Sequence, residues 1–130
     1  MTDLNKIIEA LDLLKSLNIS TNPEAKQIDI YARFIGKKVI VRTYKSGVDF
    51  GEVIAINESA VHLKNARKLW RWHANEGVSL LDVSVHGIDQ SKSKITSQVD
   101  SLFICEDYSI TDELSEIAIK SIETAPVARK

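Results

Sequence analysis

The sequence predicts an α+β protein in which short helices surround a small antiparallel twisted sheet, or partial barrel, of about five to six strands. Three observations predict this fold class. Apolar residues recur at helical spacing up to residue 35, the period changes to two after Gly36, and short turn sequences divide the alternating stretch that follows. We therefore expect two N-terminal helices, a short mid-chain helix and a C-terminal helix around the sheet.

The N-terminal segment, residues 1–36, predicts two helices. The first covers residues 2–18, where charged positions flank an apolar stripe formed by Leu4, Ile7, Ile8, Leu11, Leu14 and Leu17. The second covers residues 23–35, because Asn22-Pro23-Glu24 is typical of a helix start and Gly36 of a helix end. The first helix either packs on its own sheet or anchors another subunit.

The β-rich core, residues 37–106, begins with a hairpin. Alternation predicts a first strand from Lys37 to Tyr44, a turn at Lys45-Ser46-Gly47 and a return strand from Val48 to Ile56. Gly51 within the return strand indicates a bulge or a close approach of backbone or ligand. Residues 60–63 and 66–73 are the third and fourth predicted strands of an antiparallel meander.

Beyond the meander the pattern predicts one short helix, a loop and two strands. Ser79 caps the helix, which runs to His86 and ends at Gly87. The loop covers residues 88–94, and the strand candidates are residues 95–99 and 102–106. Cys105 in the last strand is expected to be a small buried hydrophobe.

The C-terminal part of the chain predicts one more helix and a loose end. The helix lies in the region 107–123 and runs from Ser115 to Ile122, and the tail, residues 124–130, is expected to fray. The length of the chain, residues 1–130, fits a single domain.

Composition restricts the partners and the compartment. The chain has 130 residues, a net charge of −1 and one cysteine. It therefore has no overall positive electrostatic potential that would attract DNA or an anionic membrane. A single cysteine cannot form an intrachain disulfide. No apolar run has the length of a membrane span, and the first residues lack the pattern of a signal peptide. These features predict a cytoplasmic protein that binds neither membranes nor DNA.

Sequence signatures of catalysis are missing. The chain has no phosphate-binding Gly-rich loop that ends in Lys-Ser or Lys-Thr, and no Gly-x-Ser-x-Gly elbow. His62, His73 and His86 are not at metal-ligand spacing, and carboxylates such as Asp107 are scattered. A nucleophilic pair of Cys105 and His73 stays open. The prediction is a protein without catalytic activity, metal or cofactor.

Both tryptophans lie in one stretch, residues 66–73, among four basic side chains. Strand geometry divides the stretch between two faces: Lys68, Trp70 and Trp72 on one, Leu69, Arg71 and His73 on the other. An aromatic ring beside a guanidinium suits a planar anion, because the ring stacks on a base and the cation meets a phosphate. The alternative is that Trp70 or Trp72 belongs to the core, with Arg71 over the ring edge.

The candidate ligand-binding residues combine guanidinium, amide and aromatic groups: Arg42, Tyr44, Asn65, Arg67, Arg71 and Trp72. The arginines offer a fork for phosphate, Asn65 a donor and an acceptor for a base edge, and Tyr44 or Trp72 a ring for stacking. Structural alternatives are that Arg42 is a solvated strand charge facing Glu52 and that Asn65 is a turn residue. The prediction requires that the six side chains converge in space.

Residues 35–51, IGKKVIVRTYKSGVDFG, resemble the start of a family of small phage-borne proteins. In that family a VRTY…GV..G hairpin precedes L..ARRLWRW, a Gly-rich link, an SL..LA..G helix and an A.KSI ending. The counterparts in this chain are residues 63–72, 79–87 and 118–122. The resemblance covers residues 34–126 and departs after Trp72, where this chain has a longer loop, residues 73–78.

This group is similar to the Thoeris anti-defence sponge proteins, which bind a cyclic ADP-ribose isomer made by a bacterial immune enzyme and hold it without cleaving it. The resemblance implies a homo-oligomer with ligand pockets at subunit interfaces, in which an N-terminal helix anchors the partner. The six candidate residues rest on their own chemistry, because no pocket is carried over residue by residue.

The hairpin GKKVIVRTYKSGVDFGEV also resembles the strand–turn–strand unit of Sm-like RNA-binding barrels. The Asp-x-x-x-Asn signature of those barrels is absent from the next turn, which reads Asn57-Glu58-Ser59-Ala60. This departure weighs against RNA binding.

These observations predict a non-catalytic protein that sequesters a small cyclic nucleotide-type immune messenger in phage counter-defence, in the cytoplasm of a bacterial host. Three other classes stay open: a protein-interaction module that inhibits a host protein, a single-stranded RNA-binding small barrel, and an enzyme acting on the same nucleotide.

Overall fold

A computed structural model of the protein describes residues 29–129. The predicted helix at residues 2–18 and the part of the second predicted helix before residue 29 lie outside the described residues. From Tyr31 onward the described residues belong to one compact unit.

The described end of the second predicted helix differs from the prediction. Ala32–Phe34 form a single 3-10 turn, and Ile35 is already extended. The amide of Gly36 donates to the carbonyl of Val53 at 2.8 Å. The chain therefore turns onto the sheet at this point instead of continuing a helix.

The predicted α+β class is confirmed, with a six-stranded antiparallel sheet and two helices in the described part of the chain. The elements, in chain order, are β1 (Lys38–Thr43), β2 (Gly47–Asn57), β3 (Ala60–Arg71), α1 (Leu80–His86), β4 (Lys94–Ile95), β5 (Val99–Ile104), β6 (Tyr108–Ile110) and α2 (Glu116–Glu123).

The sheet curls because its last two strands return to opposite sides of the meander. The strands pair in the order β4-β3-β2-β1-β6, and β5 pairs with the first half of β3. In a flat sheet β5 and β6 would be about 19 Å apart. The link between them, Cys105–Asp107, reaches no more than about 14 Å when extended. The sheet must therefore curl, and in the described part of the chain it stays open, because β5 and β6 do not pair with each other.

One long strand replaces the third and fourth strands of the prediction. β3 is unbroken from Ala60 to Arg71, and Asn65 takes a left-handed φ of +52° within it. The register with β2 shifts between Phe50 and Glu52, so Asn65 lies at a bulge and not in a turn. Asparagine tolerates this backbone region, which is why the local sequence looks like a turn.

Gly51 lies at the same irregularity. A Cβ atom at this position would be 2.9 Å from the Cβ of Leu63 and 3.2 Å from the carbonyl oxygen of Lys64. The close approach predicted for this glycine is confirmed, and it is an approach of β3 to β2.

Apolar clusters fill both sides of the sheet. The first lies between the sheet and the helices and includes Ile40, Phe50, Leu69, Val83 and Ile122. The second lies on the other side, within the curl, and includes Val39, Val41, Val53, Leu63 and Ile104. Because β1 contributes alternate residues to both clusters, apolar side chains cover it on both faces.

Both helices predicted after the meander are confirmed. The Ser79 hydroxyl accepts from the amide of Asp82, and the Asp82 carboxylate accepts from the amide of Ser79, which starts α1. Gly87 ends this helix with a φ of +82°. Ser115 caps α2 by accepting from the amide of Ala118 at 3.0 Å.

The edge strands differ from the prediction in extent. β4 and β5 both begin before the predicted strands at residues 95–99 and 102–106, and β4 is only two residues long. β6 occupies residues that were expected to lead into the last helix. Cys105 follows the end of β5 and is exposed, so the expectation that it is buried was wrong.

The tail was expected to fray, and this expectation was also wrong through residue 128. Val127 forms a parallel bridge with Ile95, and the amide of Ala128 donates to the carbonyl of Ile95 at 2.8 Å. Ala125 is buried in the cluster under the helices. Local composition indicates a loose end, whereas the free edge of β4 offers this segment hydrogen bonds.

Candidate functional site

A cleft at the end of β1 brings together two of the six candidate residues. Arg42 lines it from β1 and Tyr44 from the residue after β1, while Asp107, Tyr108 and Ser109 line it from β6 and the residue before it. The register of the two strands puts Arg42 directly opposite Ser109. The volume of the cleft is about 380 Å³, which is within the range of small-molecule sites.

The guanidinium of Arg42 and the ring of Tyr44 are both available to a ligand. Tyr44 is 98% exposed, and Arg42 is also exposed. Within residues 29–129 neither side chain has a hydrogen-bond or ion-pair partner. The predicted partner of Arg42, Glu52, pairs instead with Lys64 at 3.1 Å.

Glu106 holds the two walls of this cleft together. Its carboxylate accepts from the amide of Lys45 at 3.0 Å and from the hydroxyl of Ser46 at 2.8 Å. The hydrogen bond from the Lys45 amide, followed by that from the Ser46 hydroxyl, lowers the pKa of Glu106. The ionised carboxylate therefore ties the β1–β2 turn to the connection between β5 and β6.

Tyr108 is a fixed wall of the cleft. Its hydroxyl donates to the carbonyl of Asn57 at 2.6 Å, and burial is the main cause that raises the pKa of its phenol. The ring also packs against the cluster within the curl. Tyr44 is thus the lining aromatic residue whose ring can stack on a ligand.

A shallower depression adjoins the cleft on the other side of Arg42. It has a volume of about 210 Å³, shares Arg42 and Ser109 with the first cleft, and is otherwise lined by apolar side chains such as Ile40, Leu80 and Leu81. Arg42 therefore stands between a polar cleft and an apolar depression.

Arg67 is buried and stabilises the fold. Only 5% of its surface is exposed. Its Nε donates to the carbonyl of Thr96 at 2.7 Å, and its Nη1 donates to the carbonyls of Ile122 and Ala125 at 2.7 and 2.8 Å. A cation that binds the last carbonyls of α2 complements the helix dipole. Burial lowers the pKa of the Arg67 guanidinium, and the residue does not line the cleft.

The other three candidates also lie outside the cleft. Asn65 and Arg71 are exposed on β3, which β2 separates from β1. Trp72 is half-buried and packs against the cluster under the helices. The chain therefore brings Arg42 and Tyr44 together, and the convergence of all six residues that the prediction required does not occur.

The two tryptophans do not share a face, contrary to the prediction. The register of β3 with β4 shifts between Leu69 and Arg71, so Trp70 is the additional residue of a bulge. Trp72 then packs with the cluster that contains Leu69. Trp70 is 66% exposed, and the Nζ of Lys94 lies 5.6 Å from its ring centroid.

Sequence reasoning missed Glu106 and Ser109 as parts of the site and treated Asp107 as one of several scattered carboxylates. Their place depends on the return of β6 to β1, a pairing between residues far apart in the chain. The alternation in Tyr108–Ile110 is too short to predict a strand by itself.

Two of the three histidines contact neighbouring side chains. His62 stacks on Phe103 with ring centroids 3.9 Å apart, and Nδ1 of His86 lies 3.8 Å from a carboxylate oxygen of Glu76. In the described part of the chain no three His, Cys, Asp or Glu side chains form a group that could hold a metal ion. No helix of residues 29–129 is long and apolar enough to cross a membrane.

The fold places the chain among α+β proteins with a curled antiparallel sheet covered by helices on one face. A family model described as a domain of unknown function, DUF6948, matches residues 36–122. The match includes all six strands and both walls of the Arg42–Tyr44 cleft, and the chain belongs to the DUF6948 family. No curated protein and no solved structure matches the chain significantly.

Proposed function

We propose that this protein is a non-catalytic binding protein that holds a small nucleotide-type ligand in the Arg42–Tyr44 cleft. The observation that carries the proposal is an exposed guanidinium and an exposed phenol ring at the mouth of one cleft, with no partner for either among residues 29–129. A cation and a flat ring at one cleft match the phosphate and the base of a nucleotide.

Each lining group has a role in this proposal. The ring of Tyr44 stacks on the base, which contributes about 1–3 kcal/mol. Arg42 donates to a phosphate, and each charged hydrogen bond adds about 1.5–3 kcal/mol. Asp107 accepts from ribose hydroxyls, and Ser109, opposite Arg42, offers a hydroxyl to the same phosphate.

The proposed biological role rests on the resemblance to phage-borne sponge proteins. In that role a homo-oligomer in the host cytoplasm sequesters a cyclic nucleotide-type immune messenger and releases it unchanged on denaturation. In this proposal the ligand is retained intact, as the resemblance to the sponge proteins implies.

A deplete-and-release assay tests the proposal. The purified protein is mixed with cyclic dinucleotides, cyclic trinucleotides and cyclic ADP-ribose isomers, filtered and heated, and the released material is separated by chromatography. We expect one ligand to be depleted and returned intact. A ligand returned altered would identify an enzyme, and no depletion of any ligand would refute nucleotide binding.

Matched variants locate the site. Arg42→Ala and Tyr44→Ala should each weaken binding about tenfold or more, because each removes one of the two main contacts. Arg71→Ala removes an exposed arginine of the same sheet that does not line the cleft, and it should bind like the unchanged protein. If Arg71→Ala loses binding and Arg42→Ala keeps it, the site is misplaced.

A protein-interaction module is the second candidate, and the helices favour it. Leu81, Val85 and Ile117 are large apolar residues that are more than half exposed on α1 and α2. A host protein that binds the chain stoichiometrically, and is lost with Leu81→Lys but retained with Arg42→Ala, would support this function. If the protein binds RNA oligonucleotides with an affinity that falls steeply as the salt concentration rises, RNA binding would be favoured over both of these functions.

A further inference from the structure

A larger cleft lies at the opposite edge of the sheet, beside β4, and the proposed function does not use it. Its volume is about 480 Å³. Trp70, Lys94 and Ser97 line one side, and Val127, Ala128 and Arg129 line the other. We call it the tryptophan cleft. It lies four strands away from the β6 edge that borders the Arg42–Tyr44 cleft.

The indole of Trp70 is the main surface of this cleft. The bulge between Leu69 and Arg71 turns the ring out of the sheet, and 66% of Trp70 is exposed. Val127, beside it, is also exposed. An exposed aromatic side chain next to an exposed aliphatic one is typical of a binding surface, because removing this apolar surface from water is favourable.

Hydrogen bonds to main-chain carbonyls fix both walls of the tryptophan cleft. The buried guanidinium of Arg67 binds the carbonyl of Thr96 on one side and that of Ala125 on the other. The amide of Ala128 donates to the carbonyl of Ile95. The walls are therefore set before any ligand arrives, which lowers the entropy lost on binding. Arg67, a candidate ligand residue in the sequence, acts here as a positioning residue.

The charge of the cleft is positive. Lys94 and Arg129 line it, and no carboxylate does within the described residues. The chain as a whole has a net charge of −1, so this positive charge is local. The Nζ of Lys94 lies over the Trp70 ring, 5.6 Å from its centroid, which is a cation–π contact within the cleft.

We propose that the tryptophan cleft is a second binding site, for an aromatic anion: a flat ring that carries a phosphate or a carboxylate. The ring lies between Trp70 and Val127, and the anionic group meets Lys94 and Arg129. The apolar lining disfavours a small hydrated anion, and the two cations disfavour a neutral ring. This site is independent of the nucleotide site at Arg42.

The indole N–H resonances of the two tryptophans test this proposal directly. The ¹⁵N-labelled protein is titrated with adenosine monophosphate and with benzoate, which represent the two anionic groups. We expect the Trp70 resonance, assigned with Trp70→Phe, to shift saturably with at least one of them. The Trp72 resonance serves as the internal control and should stay in place, because that ring packs against the core.

Neutral and ring-free probes separate the two contributions. Adenosine, benzyl alcohol, inorganic phosphate and acetate should each bind at least about tenfold more weakly than the corresponding aromatic anion, because each lacks one of the two contacts. A Trp70 resonance that does not move with either aromatic anion refutes the proposal. Equal responses to adenosine and adenosine monophosphate would also refute it.

Charge variants complete the test. Lys94→Ala should raise the dissociation constant of the aromatic anion about tenfold, whereas Lys92→Ala, an exposed lysine of the preceding loop, should not change it. Arg42→Ala should leave the Trp70 shift unchanged, which separates this site from the Arg42–Tyr44 cleft. If Lys94→Ala binds the anion as well as the unchanged protein, the anionic part of the proposal is wrong.

Discussion

Asp49 is a carboxylate with only 1% of its surface exposed, inside the curled sheet. The Nζ of Lys68 lies 3.0 Å from it across β2 and β3, and this ammonium also donates to the carbonyl of Ser46. Burial raises the pKa of Asp49 above its ordinary value of 3.8, although the hydrogen bond and the charge of Lys68 act in the opposite direction. The desolvation cost of the charged form therefore exceeds what the ion pair returns.

The raised pKa of Asp49 predicts that the difference in the free energy of unfolding between the unchanged protein and Asp49→Asn depends on pH. Because the folded state holds the Asp49 proton more tightly than the unfolded state, the free energy of unfolding rises as the pH falls through the folded pKa towards 3.8. Each unit of pKa difference adds about 1.4 kcal/mol. Asp49→Asn lacks this contribution, so the unchanged protein should gain stability relative to it from pH 7 to pH 4.

Urea denaturation across this pH range measures the difference. Asp100→Asn, a substitution of an exposed carboxylate, serves as the control and should follow the unchanged protein. A loss of stability of the unchanged protein relative to Asp49→Asn as the pH falls from 7 to 4 would contradict the direction of the pKa shift.

At the scale of elements, the β1–β2 hairpin is held by a carboxylate from the connection between β5 and β6. Glu106 accepts from the Lys45 amide and the Ser46 hydroxyl, and these bonds lower its pKa below its ordinary value of 4.5. A depressed pKa means that the stabilisation is present above pH 4.5 and is lost as the pH falls through the folded pKa.

Glu106→Gln should therefore loosen the hairpin turn at neutral pH and change it little in acid. The glutamine keeps one acceptor oxygen but loses the charge that strengthens both hydrogen bonds. Amide hydrogen exchange of Lys45 and Ser46 should become several times faster at pH 7. Glu113→Gln, at an exposed site, is the matched control, and an unchanged exchange rate in Glu106→Gln would show that the turn is stable without this contact.

At the scale of the whole molecule, the C-terminal segment closes one edge of the sheet. Val127 and Ala128 pair with Ile95, which has only 1% of its surface exposed. Removal of residues 127–130 should lower the free energy of unfolding by about 1–2 kcal/mol, because it removes a hydrogen bond and uncovers an apolar edge. Urea denaturation checks this, with Arg129→Ala as the control that keeps the pairing. Equal stability of the shortened and full chains would show that the bridge contributes nothing.

The same long-range pairings explain which predictions failed. The sequence predicted the hairpin, both helices after the meander and their caps, because each of these depends on residues within a few positions of one another. Asn65 was interpreted as part of a turn and is a bulge of one long strand, since its left-handed φ occurs in both. The local pattern cannot distinguish the two, and the pairing of β3 with β2 decides between them.

The sequence alone thus determined the α+β class, the period change at Gly36, the turn at Gly47 and the absence of a global charge. Only the tertiary structure decided which residues line the cleft. Arg42 and Tyr44 meet Asp107 because β6 returns to β1. Arg67 is buried because the end of α2 packs over it, and Trp70 is exposed because of a bulge opposite β4. Local propensity acts between neighbours in the chain, whereas a site is formed by surfaces that meet only after strands far apart have paired.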